Sequence, residues 1–486
     1  MRRLMDLESM KKIKSTDIFE TLRHSKNYFI ANIATRALGF ISIPVLTRLF
    51  TRADYGLVAV FSSYVGITTV ILSLNSYASV SRYYYEEKSD FGEFLSSTLS
   101  FLGIIILLTV PIYILFYKQI GSLTKLPGLL PVYLIFASLF AILSSIYRQI
   151  MVPQRKSKAV ARITILGSYA TFGVAVLLVY LLKENRYLGQ IWATLLVGFG
   201  FSIYFTVVIA KYSKLSFKVE HIKYILSYSV PLIPYALSGV ILAQFDRIMV
   251  NATIGAASAG LYSLAYNIGM LLSLVIYSTQ TALMPDFFKF MNHKQYNRLD
   301  LLIKKVFSII TVSALGLILF AKETMIILAD KKFHSALSVI PIVIIGYVFY
   351  GMFTVYGRYI GYEKKTIYVS IVAITAGISN IILNAMFIPR YGYIAAAYTT
   401  VVSYFIMFLM AWVVAKNILK QRLTPLWVLW RPALMMFVFI SFALFLNRFD
   451  LNVFLFVVIK LLILLLFSSI VFYKEIKIIL NLSGRT

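Results

Sequence analysis

Tyr28–Gly56 reads YFIANIATRALGFISIPVLTRLFTRADYG. It is apolar and long enough to cross a bilayer, yet Arg36 sits near its middle. At 1.5 Å rise per residue Arg36 lies about 14 Å from the start of the span, close to the bilayer midplane. A cation at that depth costs roughly 2.5–3.5 kcal/mol on insertion scales, so it is expected to face a bundle interior or a water-filled cavity. Asn32, Arg36, Gly39 and Ser42 fall at i, i+4, i+7 and i+10, which is one helical face. Pro44 weakens the helix just before its far end. The expectation is a polar face that helps line a cavity for something anionic.

The rest of the chain has the same character. Of its 486 residues 60% are hydrophobic and 14% charged, and the mean hydropathy is +0.83. Soluble domains are nearer a quarter charged. The fold class is therefore all-α and polytopic. With no cysteine, disulfides, thiolate metal sites and cysteine nucleophiles are excluded. His24, His221, His293 and His334 lie outside apolar spans, so they are expected at the surface and not in a metal site. No cofactor and no metal are implied. The net charge of +28 would suggest nucleic acid in a soluble protein. Here it is explained by cytoplasmic loops rich in Lys and Arg, so no nucleic-acid partner is expected. The first 26 residues are polar and basic and lack the apolar core of a signal peptide.

Apolar segments near 20 residues recur fourteen times, from 27–49 and 56–81 through 224–248 to 453–473. Placing the N-terminus inside puts 33 of the 47 Lys and Arg residues on the inner side and 12 on the outer side, with Arg36 and Lys460 within spans. Both termini are thus expected on the cytoplasmic side of the membrane. The longest polar insert, 285–300, is too short to hold a catalytic centre, and the chain is not read as an enzyme.

An internal repeat sets the organisation. SSIYRQIMVPQRKS (144–157) resembles FTVYGRYIGYEKKT (353–366), each with an arginine near the end of a helix and a basic turn after it. NRYLGQIWAT (185–194) resembles PRYGYIAAAY (389–398), and LTRLFTRADYGL (46–57) resembles FDRIMVNATIGAASAGL (245–261). The expected organisation is a basic tail over 1–26, a six-helix lobe over 27–215, a second over 216–418, and a helix pair with a cytoplasmic tail over 419–486. An even number of helices per lobe gives both the same orientation.

Several helices carry one-sided polar stripes. Asn75, Ser79, Arg82 and Glu86 share a face of the second span, and Arg82 and Glu86 can pair at i, i+4. Ser138, Ser145 and Arg148 share a face of the fourth. Tyr262, Tyr266, Gly269, Ser273, Tyr277 and Gln280 run along the eighth. Tyr347, Tyr350, Thr354 and Arg358 run along the tenth, and Ser370, Gly377, Asn380 and Asn384 along the eleventh. Small and polar residues at helical spacing also serve ordinary helix–helix contacts in membranes, so packing competes with ligand contact for most of these. Arg36 stands apart, because its own span offers no acidic partner. Arg82, Arg148 and Arg358 end their helices, where reaching lipid phosphates is an adequate alternative to a cavity-mouth role. The candidate substrate-binding set is Arg36, Asn75, Arg82, Arg148, Tyr262, Tyr266, Gln280, Arg358 and Asn380. Lys460 reads as a snorkelling or packing residue.

The seventh span carries Pro231 and Pro234, whose two missing donors favour a bend. Asp246 and Arg247 at its far end form an adjacent acid–base pair, either a surface pair of little worth or part of an outer gate. With Asp54 they complete a candidate gate set.

TRLFTRADYGLVAV (47–60), VPLIPYALSGVILAQFDRIMV (230–250) and AGLYSLAYNIGMLLS (259–273) together resemble the polysaccharide repeat-unit flippases of the multidrug/oligosaccharidyl-lipid/polysaccharide exporter superfamily. The resemblance covers nearly the whole chain. It implies a two-lobe transporter that moves an oligosaccharide on undecaprenyl pyrophosphate from the cytoplasmic to the periplasmic leaflet, as in O-antigen export. It also implies arginines that hold the pyrophosphate, with Arg36 matching by its place in the first helix and Arg82 more weakly in the second. The eighth helix departs from the pattern, having tyrosines and Gln280 but no arginine in its interior, and Arg358 is then the nearest cationic candidate of the second lobe. Partners implied are the lipid-linked oligosaccharide, membrane lipids, a coupling ion (H+ or Na+) and polysaccharide polymerase machinery. A cation-coupled multidrug extruder or a lipid II flippase of the same superfamily is the alternative, and a membrane glycosyltransferase or polymerase a remote one. The extruder requires buried carboxylates. The acids at the membrane edge, Asp54, Glu86, Asp246 and Glu323, all read as helix-end residues and favour an anion-handling cavity. Arg36 aligns near Tyr235 in the repeat, so the expected site is asymmetric, with phosphate on the first lobe and sugar toward the tyrosines of the second.

Overall fold

The structure, a computed structural model, describes residues 26–28, 30–86, 89–446 and 452–473. Among the described residues there are helices and no strands, as expected of an all-α chain. Fourteen helices are long and apolar enough to span a membrane: α1 Lys26–Leu49, α2 Arg52–Leu72, α3 Phe91–Leu115, α4 Leu130–Met151, α5 Ser157–Leu181, α6 Tyr187–Tyr212, α7 Val219–Thr253, α8 Ala256–Asn292, α9 Tyr296–Leu319, α10 Lys331–Tyr362, α11 Thr366–Tyr391, α12 Tyr393–Ile418, α13 Leu426–Leu446 and α14 Phe454–Val471.

Local chemistry sets where these helices start, stop and bend. Thr51 and Asp54 form a reciprocal capping box at the start of α2, each side chain accepting the other residue's backbone N–H, at 3.1 and 2.9 Å. The second span expected over 56–81 is not one helix. It stops at Leu72, turns through Leu74 and Asn75, both with positive φ, and restarts as a short helix, Tyr77–Tyr85. Asn tolerates the left-handed region, and the Ser73 hydroxyl accepts the Asn75 N–H at 3.1 Å. In α7 the two prolines have the expected effect: Val219–Ser229 is followed by a 3₁₀ turn at Val230–Leu232 before the helix resumes. A second irregularity, the π turn Ile241–Phe245, carries no proline.

The chain divides into two compact units at Val240/Ile241, inside α7. In the first, α5 packs on α6, α6 on α4 and α4 on α2. In the second, α11 packs on α12, α12 on α10 and α10 on α8. Each pairing of the second unit is one of the first shifted by six helices, so the sequence repeat reappears as a repeat of packing. Membrane helices associate through close contact of small residues. Gly189 is such a contact between α6 and α5, because a β-carbon there would come within 2.7 Å of the Val179 nitrogen. α3 and α5 are the least covered helices, and exposed Leu107, Leu108 and Leu177 suit them to lipid.

The last helix pair packs on α9. Lys460 of α14 is buried, and its ammonium lies 2.7 Å from the Glu323 carboxylate on the short helix Ala321–Leu328. The rings of Phe456 and Phe320 flank it at 4.5 and 5.7 Å. It is an ion-paired anchor and does not snorkel, since an enclosed cation needs a counter-charge. Lys460→Met is expected to cost about 3 kcal/mol by stranding Glu323. The double variant with Glu323→Gln is expected to recover most of that loss. Thermal unfolding in detergent checks both, and an unchanged Tm for the single variant would contradict the anchor.

Candidate functional site

On α1 the polar face keeps the expected register. Ala31, Leu38, Ile43 and Thr47 are buried in the first unit, while Asn32, Arg36 and Gly39 lie on the exposed side. A β-carbon at Gly39 would meet nothing within 4 Å. The helix thus presents Arg36, with Asn32 and Gly39 and beside exposed Ile33, Phe40 and Ile41, on a side its own unit leaves open.

The other first-unit candidates do not share one helical face. Asn75 is buried in the turn after α2, so the stripe with Ser79, Arg82 and Glu86 is broken. Arg82 is exposed and pairs with Glu86 at 2.9 Å, as its spacing predicts. Tyr224 donates to the same carboxylate oxygen at 2.9 Å. Asp54 caps α2 and accepts the Tyr187 N–H at 3.3 Å, bonds that fix helix ends. Arg148 lines a cavity of about 340 Å³ between α2, α4, α5 and α6, with Ser144, Tyr147, Thr164, Ser168 and Thr194 among its walls.

In the second unit the largest departure from expectation is Asp246. Read as a helix-end surface residue, it is 2% exposed and begins the eight-residue segment Asp246–Thr253 that follows the π turn of α7. Its Oδ2 accepts from the Tyr262 hydroxyl at 2.5 Å and the Thr400 hydroxyl at 2.7 Å, and its Oδ1 accepts from Asn384 Nδ2 at 2.6 Å. Asn384 Nδ2 also donates to Asn380 Oδ1 at 3.1 Å, and the Thr399 hydroxyl donates to Asn384 Oδ1. Arg247 points elsewhere, donating to Ala243 O at 2.8 Å and Asn267 Oδ1 at 3.3 Å and lying over the Tyr266 ring. The adjacent acid and base are therefore not a surface pair. The carboxylate is the group of this network that a proton or an alkali cation would neutralise; its neighbours face it with two hydroxyl donors and an amide N–H donor. Among the described residues no group of three or more His, Cys, Asp or Glu could hold a metal ion.

The tyrosine stripe also differs from its reading. Tyr262 and Tyr266 are fully enclosed, the first bonded to Asp246 and the second within 3.4 Å of the hydroxyls of Tyr404 and Tyr347. Neither ring offers a face to a sugar. The stripe also breaks at Met270–Leu271, where α8 is interrupted. Asn380 is buried in the Asp246 network, and Gln280 contacts Arg358.

Residues 22–291, more than half of the chain, match the family described as polysaccharide biosynthesis protein. The chain belongs to the polysaccharide biosynthesis protein family. It is 22% identical over 412 residues to the Lsg locus putative protein 1 of Haemophilus influenzae, covering 79% of this chain and 98% of that one. It is 20% identical over 387 residues to the probable low-salt glycan biosynthesis flippase Agl15 of Haloferax volcanii, covering 79% and 80%. Its fold matches the lipid II flippase MurJ in an inward closed conformation, with a TM-score of 0.73 and 20% identity over 92% of this chain and 99% of that one. An inward-facing multidrug resistance transporter of the MATE family matches with a TM-score of 0.62 and 13% identity, covering 79% and 94%. The resemblance read from the three motifs is borne out at the level of family and fold.

This polysaccharide biosynthesis protein also buries a histidine that the sequence suggested was on the surface. His221, in the first turn of α7, lies 2.9 Å from Asp90 Oδ2 and 3.0 Å from Ser97 Oγ. Its hydrogen bond holds the Asp90 carboxyl below the usual carboxylate range. The rings of Tyr83 and Phe94 stack at 3.8 Å beside it. This chain ties α7 to α3 and the short helix Tyr77–Tyr85 within the first unit.

Proposed function

We propose that this protein is a flippase that moves an undecaprenyl-pyrophosphate-linked oligosaccharide repeat unit from the cytoplasmic to the periplasmic leaflet by alternating access. The family and the flippase named among its relatives support the cargo class. The single observation that carries the reading is Arg36, a guanidinium on the open side of a largely apolar helix. A pyrophosphate cannot cross hydrocarbon unaided, and a guanidinium fork suits two phosphate oxygens. The sugar needs a wet path, the polyprenyl tail stays in lipid, and no covalent chemistry is required. Both termini are cytoplasmic in this reading, from the Lys and Arg bias of the loops.

The buried Asp246 network supports a coupling ion, H+ or Na+, as the driving partner. It weakens the argument against cation coupling that helix-end acids suggested. It does not change the cargo, since an ion site is compatible with glycan as well as drug transport. Complementation of a flippase-null strain tests the function. Restored surface polysaccharide, with no build-up of cytoplasmic-leaflet lipid-linked glycan, is the expected result. Drug extrusion without glycan export would overturn it.

A further inference from the structure

The first unit holds a second cavity, of about 400 Å³, between α1, α5 and α6. Thr35, Gly39 and Ser42 of α1, Ser168 and Thr171 of α5 and Gln190 of α6 line it. The Tyr169 hydroxyl donates to the Ala34 backbone oxygen at 3.3 Å, which ties α5 to α1 close by. The volume falls in the range of small-molecule sites, about 300–1,000 Å³.

The polar groups of this wall are mostly of one kind. Thr35 Oγ1 donates to Ala31 O at 2.8 Å, Ser42 Oγ to Gly39 O at 2.7 Å and Ser168 Oγ to Thr164 O at 2.8 Å. A hydroxyl has one proton and two lone pairs, so these three offer a guest acceptors only. Gln190 Oε1 is a buried acceptor to which no described residue donates. Among the described lining residues none carries a charge. An anion would meet lone pairs from these four groups, and a cation would have no counter-charge. A neutral guest rich in hydroxyl donors satisfies them. Leu38, Leu46 and Phe172 supply an apolar side, which suits the C–H face of a sugar ring.

We propose that the cavity between α1, α5 and α6 binds a sugar through its hydroxyl groups. That this sugar belongs to the lipid-linked cargo rests on the flippase reading; the site itself does not. Gly39 belongs both to the cavity wall and to the open side of α1. It lies three residues beyond Arg36, about 4.5 Å along the helix axis. One cargo molecule can therefore set its phosphate at Arg36 and a sugar in the cavity. Gly167, Ser168 and Thr171 also wall the cavity that Arg148 lines, so the two adjoin and leave room for more than one sugar. The sequence asymmetry put sugar on the second half. The enclosed tyrosines there and the unmet acceptors here move it to the first.

The chain has no cysteine, so a single Thr171→Cys in the cavity wall reports occupancy. The full chain in phosphatidylcholine nanodiscs is reacted with a small neutral maleimide in the presence of glucose, galactose, rhamnose or N-acetylglucosamine. Betaine at equal osmolality is the control, since it carries no hydroxyl. At least one sugar is expected to slow labelling, by about threefold at twice its dissociation constant, where betaine does not. Gln190→Leu is expected to raise the sugar concentration needed by about fivefold, the loss of one hydrogen bond. Its Tm is expected to hold or rise, because an unpaired buried acceptor is removed. Gly39→Leu is expected to abolish protection with the fold intact, since a β-carbon there meets nothing within 4 Å and leucine favours a helix over glycine. Protection by no sugar, equal protection by betaine or by inorganic pyrophosphate, protection that survives both variants, or a Thr171→Cys that is never labelled would overturn the site. Complementation is scored separately. Sugar protection without restored glycan export would sink the flippase reading and leave the sugar site standing; restored export without sugar protection would do the reverse.

Discussion

Arg36→Ala is expected to abolish surface polysaccharide export while the protein inserts at wild-type abundance. Arg36 lies on the exposed side of α1, opposite Ala31 and Leu38, so its truncation leaves no cavity in the first unit. What is lost is a charge-assisted contact, about 1.5–3 kcal/mol if a single phosphate group is held. That is at least a tenfold loss in affinity, and a full block follows if the cargo's charge must be matched at the membrane midplane. Arg36→Lys is expected to retain part of the activity, because the charge persists and the two-pronged geometry does not. Surface polysaccharide and protein abundance, measured in one strain, separate these outcomes. Full export by the alanine variant would remove Arg36 from the site.

Asp246→Asn is expected to uncouple transport from its driving ion with the fold intact. The substitution keeps the shape of the side chain and removes the one formal charge of the network formed with Tyr262, Asn384 and Thr400. Cation affinity is expected to fall by tenfold or more, since a site of neutral oxygens holds an alkali ion weakly. Asp246→Ala is expected to do more damage. It strands three buried donors, at about 1–3 kcal/mol each before relaxation. Initial transport rates against a Na+ or proton gradient check the first variant, and thermal unfolding checks the second. An unchanged ion dependence in Asp246→Asn would show that the network is purely structural.

The elements most legible in the sequence were those encoded over one or two helical turns. Length and hydropathy located the fourteen spans, although the second proved to be a helix, a turn and a short helix. Arg82 and Glu86 paired as their spacing implied, and Pro231 and Pro234 marked a real interruption. The packing of α2, α4, α5 and α6 on one another recurs in α8, α10, α11 and α12. Where partners lay far apart in sequence, the reading failed. Asn384 and Thr400 reach Asp246 across 138 and 154 residues, and Asp90 reaches His221 across 131. No local pattern distinguishes such a buried acid from one at a surface helix end. The tyrosines of α8 show the same limit from the other side. Their spacing marked a face correctly, but whether a face meets water or another helix depends on what packs against it.

The central claim is that the chain carries a lipid-linked anion across a membrane and that Arg36 is needed for it. Purified protein in liposomes with a fluorescent undecaprenyl-pyrophosphate oligosaccharide tests this directly, the exposed leaflet being read with a membrane-impermeant glycan-modifying reagent. Wild-type protein is expected to make substrate from the inner leaflet accessible, while empty liposomes and Arg36→Ala leave it protected. Protected substrate with wild-type protein, or exposure by Arg36→Ala at the wild-type rate, would contradict the account.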